Sequence, residues 1–98
     1  MGKENAFVVK QRKKIIQFLT APREARKLER LSQSEFWKRY GVIQTAGSQY
    51  EGGRPIPSST KLLMALHAAG KFTDDDLAAV EEIISRLEEA PQLIVDAN

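Results

Sequence analysis

The side chains able to do chemistry in this chain are few, and their types and spacing argue against catalysis. Cysteine is absent, which removes disulfides, thiolate zinc sites and a cysteine nucleophile. His67 is the only histidine. With no acid partner evident beside it, it makes neither a metal centre nor a triad, and it reads as a surface or half-buried helix residue. Asp74, Asp75 and Asp76 are consecutive, so on a helix their carboxylates diverge instead of converging on a cation. They suit the positive end of a helix dipole. No Walker-type phosphate loop, dinucleotide Gly-x-Gly-x-x-Gly or Gly-x-Ser-x-Gly elbow is present. The expectation is a protein that is not an enzyme and uses no cofactor or metal.

What remains is cationic and amide chemistry, unevenly distributed. Residues 1–49 hold eleven Lys and Arg against four Glu, a net +7, whereas residues 50–98 hold nine acids against four bases, a net −5. A basic half suits a polyanionic partner, with the acidic half turned elsewhere. Solvated helix faces that happen to segregate are the alternative. The same choice applies to Lys10, Arg12, Lys13 and Lys14, which either track a polyanion backbone or form a solvated face.

The elements that must position these groups are short helices. At 98 residues, 42% hydrophobic and 29% charged, the chain is expected to be one soluble globular domain with a modest core. Apolar runs are too short to cross a membrane, no signal peptide is evident, and the absence of cysteine fits a reducing cytosol, so a cytoplasmic location is expected. After a frayed start, a helix is expected from about Val8 to Leu19, although Phe7-Val8-Val9 favours a strand. Pro22 fits the first turn of the next helix, to Arg30, with Ala25 and Leu28 inward. Ser32 and Glu35 form a capping box for residues 33–40, whose apolar positions are Phe36, Trp37 and Tyr40. Gly41 ends that helix at positive φ. Residues 44–51 form another helix, and Gly52–Pro57 a loop. Ser58 or Ser59 caps a helix carrying Leu62, Leu63, Leu66 and Ala69, which stops at Gly70. Thr73 caps a long helix to about Glu89, which Pro91 stops. Gln92–Val95 reads as a short strand or an ordered tail.

Two short helices joined by Gly41-Val42-Ile43 have the spacing of a helix-turn-helix: Phe36, Tyr40, Val42 and Tyr50 fall at its apolar positions and Gly41 at its turn. Leu31-Ser32-Gln33, then Gly41-Val42, Gln44, and Tyr50-Glu51-x-Gly53-Arg54-x-x-Pro57 form an ordered set that resembles the Cro/CI-type (XRE-family) DNA-binding domain over Pro22 to Leu77. The resemblance implies an all-α, lambda-repressor-like five-helix domain that binds double-stranded DNA as a dimer. Residues 1–21 are then a basic N-terminal extension, and residues 78–98 a C-terminal helix and tail. Three positions depart from the pattern. Trp37 stands where alanine is usual, and Gly47 where an inward Val or Ile is usual. These two positions face each other in the motif, so the pair reads as a compensated swap of volume. Ile43 replaces the usual Ser or Thr cap, at a cost of about 1 kcal/mol.

The resemblance also implies roles. Gln44, Thr45 and Gln49 face the base edges; a Gln amide matches the adenine N6/N7 pair and a Thr methyl the thymine methyl. Gln33, at a helix N-terminus, meets a phosphate, with Arg54 and Lys38 adding charge. Arg26 and Glu51 form a partly buried structural ion pair. In the last helix Leu77, Val80, Ile84 and Leu87, widened by Ile83, form an apolar stripe. It covers the core, serves as a dimer seam, or does both, with the early part of the helix facing inward and the later part a partner. Leu93, Ile94 and Val95 in the tail and Phe7, Val8 and Val9 at the other end are the apolar segments that would extend such a seam. The expected function is a transcriptional regulator, a repressor acting as a homodimer on a pseudo-palindromic operator. The rival readings are the antitoxin of a toxin–antitoxin pair, with a toxin as partner, and a protein–protein adaptor with a degenerate helix-turn-helix.

Overall fold

The computed structural model describes residues 5–89. Seven helices follow one another: α1 (Ala6–Lys10), α2 (Arg12–Thr20), α3 (Pro22–Leu28), α4 (Gln33–Lys38), α5 (Gln44–Glu51), α6 (Ser58–Ala68) and α7 (Asp74–Glu89). No strand occurs among the described residues, in keeping with the expected all-α class. The expected strand or tail at 92–95 and the stop at Pro91 lie outside them.

The core is aromatic and small-residue in character. Phe18, Phe36, Trp37, Tyr40 and Met64 fill it, with Ala25, Ala68 and Ala69 where helices approach closely. Phe36 meets Trp37 and Tyr40 edge-to-face, at centroid distances of 5.2 and 5.6 Å, the arrangement favoured by the ring quadrupoles.

The chain departs from the sequence expectations in several places. The first helix begins at Ala6 and is broken at Gln11, where φ is −94° and ψ is 14°. Asn5 caps α1, accepting from the Phe7 and Val8 amides, and the bend lets Phe7 lie beside Gly70 and Lys71 while Phe18 enters the core. Leu28 is exposed instead of inward. It lies on the far side of the face that Pro22, Ala25 and Arg26 share, and Leu31 supplies the apolar contact after the turn at Arg30. In α6 the inner face carries Leu63, Met64 and Ala68, leaving Leu62 and Leu66 in solvent. Neither Ser58 nor Ser59 caps α6: the cap position is Pro57, whose carbonyl accepts from the Lys61 amide.

Local signals hold elsewhere. Ser32 and Glu35 make the reciprocal capping box of α4, and this bonding lowers the Glu35 carboxyl pKa. Thr73 caps α7, its hydroxyl accepting from the Asp76 amide. Gly41 and Gly70 take positive φ, +72° and +81°, where a side chain is strained.

Candidate nucleic-acid interface

The helix pair α4–α5 is assembled around two residues with no spare volume. The Val42 amide donates to the Trp37 carbonyl at 3.1 Å, which folds the turn tightly enough to lay α5 over the indole. Trp37 is fully buried. A Cβ at Gly47 would come within 3.0 Å of the indole Cγ, Cδ1 and Nε1, so the bulky and the missing side chain fit each other as the sequence predicts.

Below α5 sits a carboxylate hub. The Glu51 side chain is 0% exposed and the Arg26 side chain 15%. Arg26 donates to Glu51 through Nε at 2.8 Å and Nη2 at 3.0 Å, and its Nη1 donates to the Leu31 carbonyl. Gln33 Nε2 donates to Glu51 Oε1 at 3.1 Å, and Trp37 Nε1 to Oε2 at 2.9 Å. Arg23 adds a longer contact at 3.5 Å. Burial works against the charge of this carboxyl, but the hydrogen bonds from Arg26, Gln33 and Trp37 outweigh it and hold its pKa down at about 2. The expected Arg26–Glu51 pair is present, within a larger network than the sequence suggested. The indole donor was the available clue, since a buried Trp N–H needs an acceptor.

The hub reaches the outer surface through two amides in series. Glu51 only accepts, so Gln33 turns its NH2 inward and its carbonyl outward. That carbonyl accepts from Gln44 Nε2 at 2.7 Å. Gln44 is left with its carbonyl and one N–H directed to other partners, the acceptor–donor pair that matches an adenine edge. Gln33 was expected to meet a phosphate; in the structure its carboxamide bridges Glu51 and Gln44.

The exposed side of α5 presents Gln44, Thr45 and Gln49 as expected, and adds Ser48, which the sequence reading did not single out. Arg54 donates to the Gln49 side-chain carbonyl and receives the Gln49 backbone as an anchor for its own amide at 3.0 Å. Lys38 is exposed and lines a shallow hollow of about 350 Å³ with Ser34, Gly41, Ile43, Gln44 and the acidic Glu81 of α7. The two cations therefore flank the amide face, with Glu81 beside Lys38 at one edge. Ile43 precedes α5 without a side-chain cap, leaving the first amides of that helix open to an anion.

A second cluster joins α7 to this unit. Arg39 bridges Glu29 at 2.8 Å and Asp74 at 3.2 Å, with its guanidinium over the Phe36 ring. Asp74 also meets His67 Nε2 at 2.9 Å, and the Tyr40 hydroxyl bonds His67 Nδ1 at 2.8 Å. His67 thus has an acid partner, which sequence spacing hid because the chain returns through Gly70 to bring Asp74 back. Burial and the Arg39 cation lower the His67 pKa against the opposing pull of Asp74, and burial raises that of Tyr40. No group of three or more potential ligands able to hold a metal occurs among the described residues.

The apolar stripe of α7 lies over the core only loosely. No residue of α7 is buried; Val80, Ile83 and Ile84 are 53%, 59% and 49% exposed, and Leu87 is half-buried. Leu77, Val80 and Ile84 line one groove with Tyr40, Gly41 and Leu63, so these three face the subunit's own core across an open hollow. The tail residues expected to extend the stripe lie outside the described residues.

Residues 23–67 match the family model described as the RsaL-like HTH domain. The match runs from α3 into α6 and contains α4, the turn and α5, so the chain carries a helix-turn-helix domain. The model is RsaL-like and does not single out the Cro/CI type. No curated protein and no solved structure matches the chain.

Proposed function

We propose that this protein is a sequence-specific, double-stranded-DNA-binding transcriptional regulator. It acts in the cytoplasm as a homodimer on a pseudo-palindromic operator, most simply as a repressor that occludes the site. The reading assigns it no chemistry and no cofactor. The observation that carries it is the exposed face of α5, where Gln44, Thr45, Ser48 and Gln49 lie together with Lys38 and Arg54 at its edges. Amide and hydroxyl groups on a helix of major-groove dimensions read base edges, and flanking cations hold phosphates. The ordered set of residues resembling the Cro/CI-type domain supports the same reading. No helix among the described residues is long and apolar enough to cross a membrane.

The dimer follows from half-site arithmetic. One short helix reads few base pairs, and two-fold symmetry doubles the contacts and sets the recognition helices about 34 Å apart, one turn of DNA. Selection of bound sequences from a random double-stranded pool tests the proposal. The expected result is an enriched motif with two related half-sites. Equal retention of every sequence, with binding that vanishes at moderate salt, would leave only non-specific polyanion attraction and refute it.

A further inference from the structure

Two exposed apolar patches of opposite electrostatic character lie on this chain. The first is the half-exposed stripe of α7, Val80, Ile83 and Ile84, of which Val80 and Ile84 also border the groove against Tyr40 and Leu63, on a helix with seven acids and one base, Arg86, itself paired to Glu82. The second is on α1–α2. There Val8, Val9, Arg12, Ile15 and Ile16 line an open hollow of about 250 Å³, with Val9 43% and Ile16 47% exposed. Across α1 and α2 the charged residues are Lys10, Arg12, Lys13 and Lys14, with no acid.

We propose that α7 of one copy of this chain docks its apolar stripe on the α1–α2 patch of a second copy, and that two-fold symmetry makes the contact twice. The proposal rests on the homodimer stated above and names its surfaces. Net charge −6 on α7 meets +4 on α1–α2 around matching apolar centres, whereas α7 laid on α7 would set Glu81 and Glu88, on one edge of the stripe, in a field of like charge. The basic quartet is also placed away from the proposed DNA face. Phe7 packs beyond the C-terminal end of α6, at Gly70 and Lys71. Arg54 and Lys61 share a hollow near its start, and eleven residues of helix, about 16 Å, separate the two ends. A soluble chain that leaves two such patches bare exposes more apolar surface than a monomer usually does. Reciprocal docking covers both patches with one operation.

The test is a charge swap read by mass. Variant one carries Arg12→Glu and Lys13→Glu; variant two carries Glu81→Lys and Glu88→Lys. Full-length chains are measured by sedimentation without DNA across micromolar concentrations, with circular dichroism as the check on folding. The wild type is expected to be a dimer, each variant alone to dissociate at least about tenfold more readily, and an equimolar mixture to regain a dimer, because one of its contacts then joins two wild-type surfaces and the other sets the introduced lysines against the introduced glutamates. The mixture separates lost complementarity from lost folding. A monomeric wild type overturns this pairing together with the homodimer on which it rests. A wild-type dimer unaffected by variant one, or no recovery on mixing, overturns the pairing alone. A mass that climbs past the dimer shows an open head-to-tail chain and overturns the closed form. Since no DNA is present, failure of the DNA-reading proposal would be seen separately.

Discussion

Alanine at position 47 should destabilise this protein, against the usual rule for helices. Inside a helix, Gly→Ala ordinarily gains up to about 1 kcal/mol. Here the added methyl falls within 3.0 Å of three indole atoms of Trp37, a side chain that is 0% exposed and tied through Nε1 to Glu51. The indole cannot yield toward solvent. Overpacking of a filled site costs about 1–3 kcal/mol, and displacing the indole weakens a hydrogen bond to a charged acceptor worth about 1.5–3 kcal/mol. Partial relaxation trims these, so the net expectation for Gly47→Ala is a loss of about 1–3 kcal/mol after the propensity gain is counted. In a domain of this size that lowers the Tm by about 4 °C or more. Gly47→Ile should cost more. Urea unfolding followed by tryptophan fluorescence and far-UV circular dichroism measures both. Trp37→Phe, which gives up the bond to Glu51, should cost less in the Gly47→Ala background than in the parent, since the smaller ring leaves room for the methyl, and a coupling energy of about 1 kcal/mol or more is expected. A Gly47→Ala protein as stable as the parent, or more so, would mean that the indole is not wedged against α5 and would refute the reasoning.

Three further outcomes follow. Arg26→Ala should cost about 3–5 kcal/mol by stranding the Glu51 charge, and Arg26→Ala with Glu51→Gln should cost less than the sum; a double-mutant cycle with no coupling would remove the pair from the core. The Glu51 carboxyl is held at about 2, below its ordinary 4.5. Its contribution is therefore complete above pH 4.5 and is lost as pH falls toward 2, so unfolding midpoints measured down this range should drop, and Glu51→Gln should flatten the decline. Gln44→Ala should weaken binding to a selected operator by about 1–3 kcal/mol and leave random DNA nearly unchanged in a mobility shift; equal weakening of both would show that Gln44 reads no base.

Much of the recognition unit was legible because its signals are local or depend on one pairing. Ser32 with Glu35, Gly41 at the turn, and Trp37 against Gly47 each follow from spacing within one or two helices. The Arg26–Glu51 pair followed from the resemblance. The hydrogen bonds of Gln33 were not legible, because a carboxamide at a helix start can turn toward a phosphate or toward a neighbouring carboxylate, and the choice depends on where Glu51 is held. The inner face of α6 was not legible, because Leu62, Leu63, Leu66 and Ala69 spread around the helix; contact with α2 selects the face of Leu63, Met64 and Ala68. His67 and Asp74 are seven residues apart across a glycine turn, and only the returning direction of α7 brings them together.

The Glu51 hub also divides the molecule by how it comes apart. One buried carboxylate holds Arg26 of α3, Gln33 and Trp37 of α4, and its own α5, so none of these helices can peel away without exposing a charge that the others were stabilising. They open together or not at all. The contacts of α7 are of a different kind: a polar clasp at Asp74, its first residue, and no buried side chain along its length. Its amides are expected to exchange with solvent through a local opening that costs less than global unfolding, while those of α4 and α5 wait for the whole core to melt. Within one subunit, the protein is thus a cooperative unit with a more loosely held helix, which only a second copy would fasten.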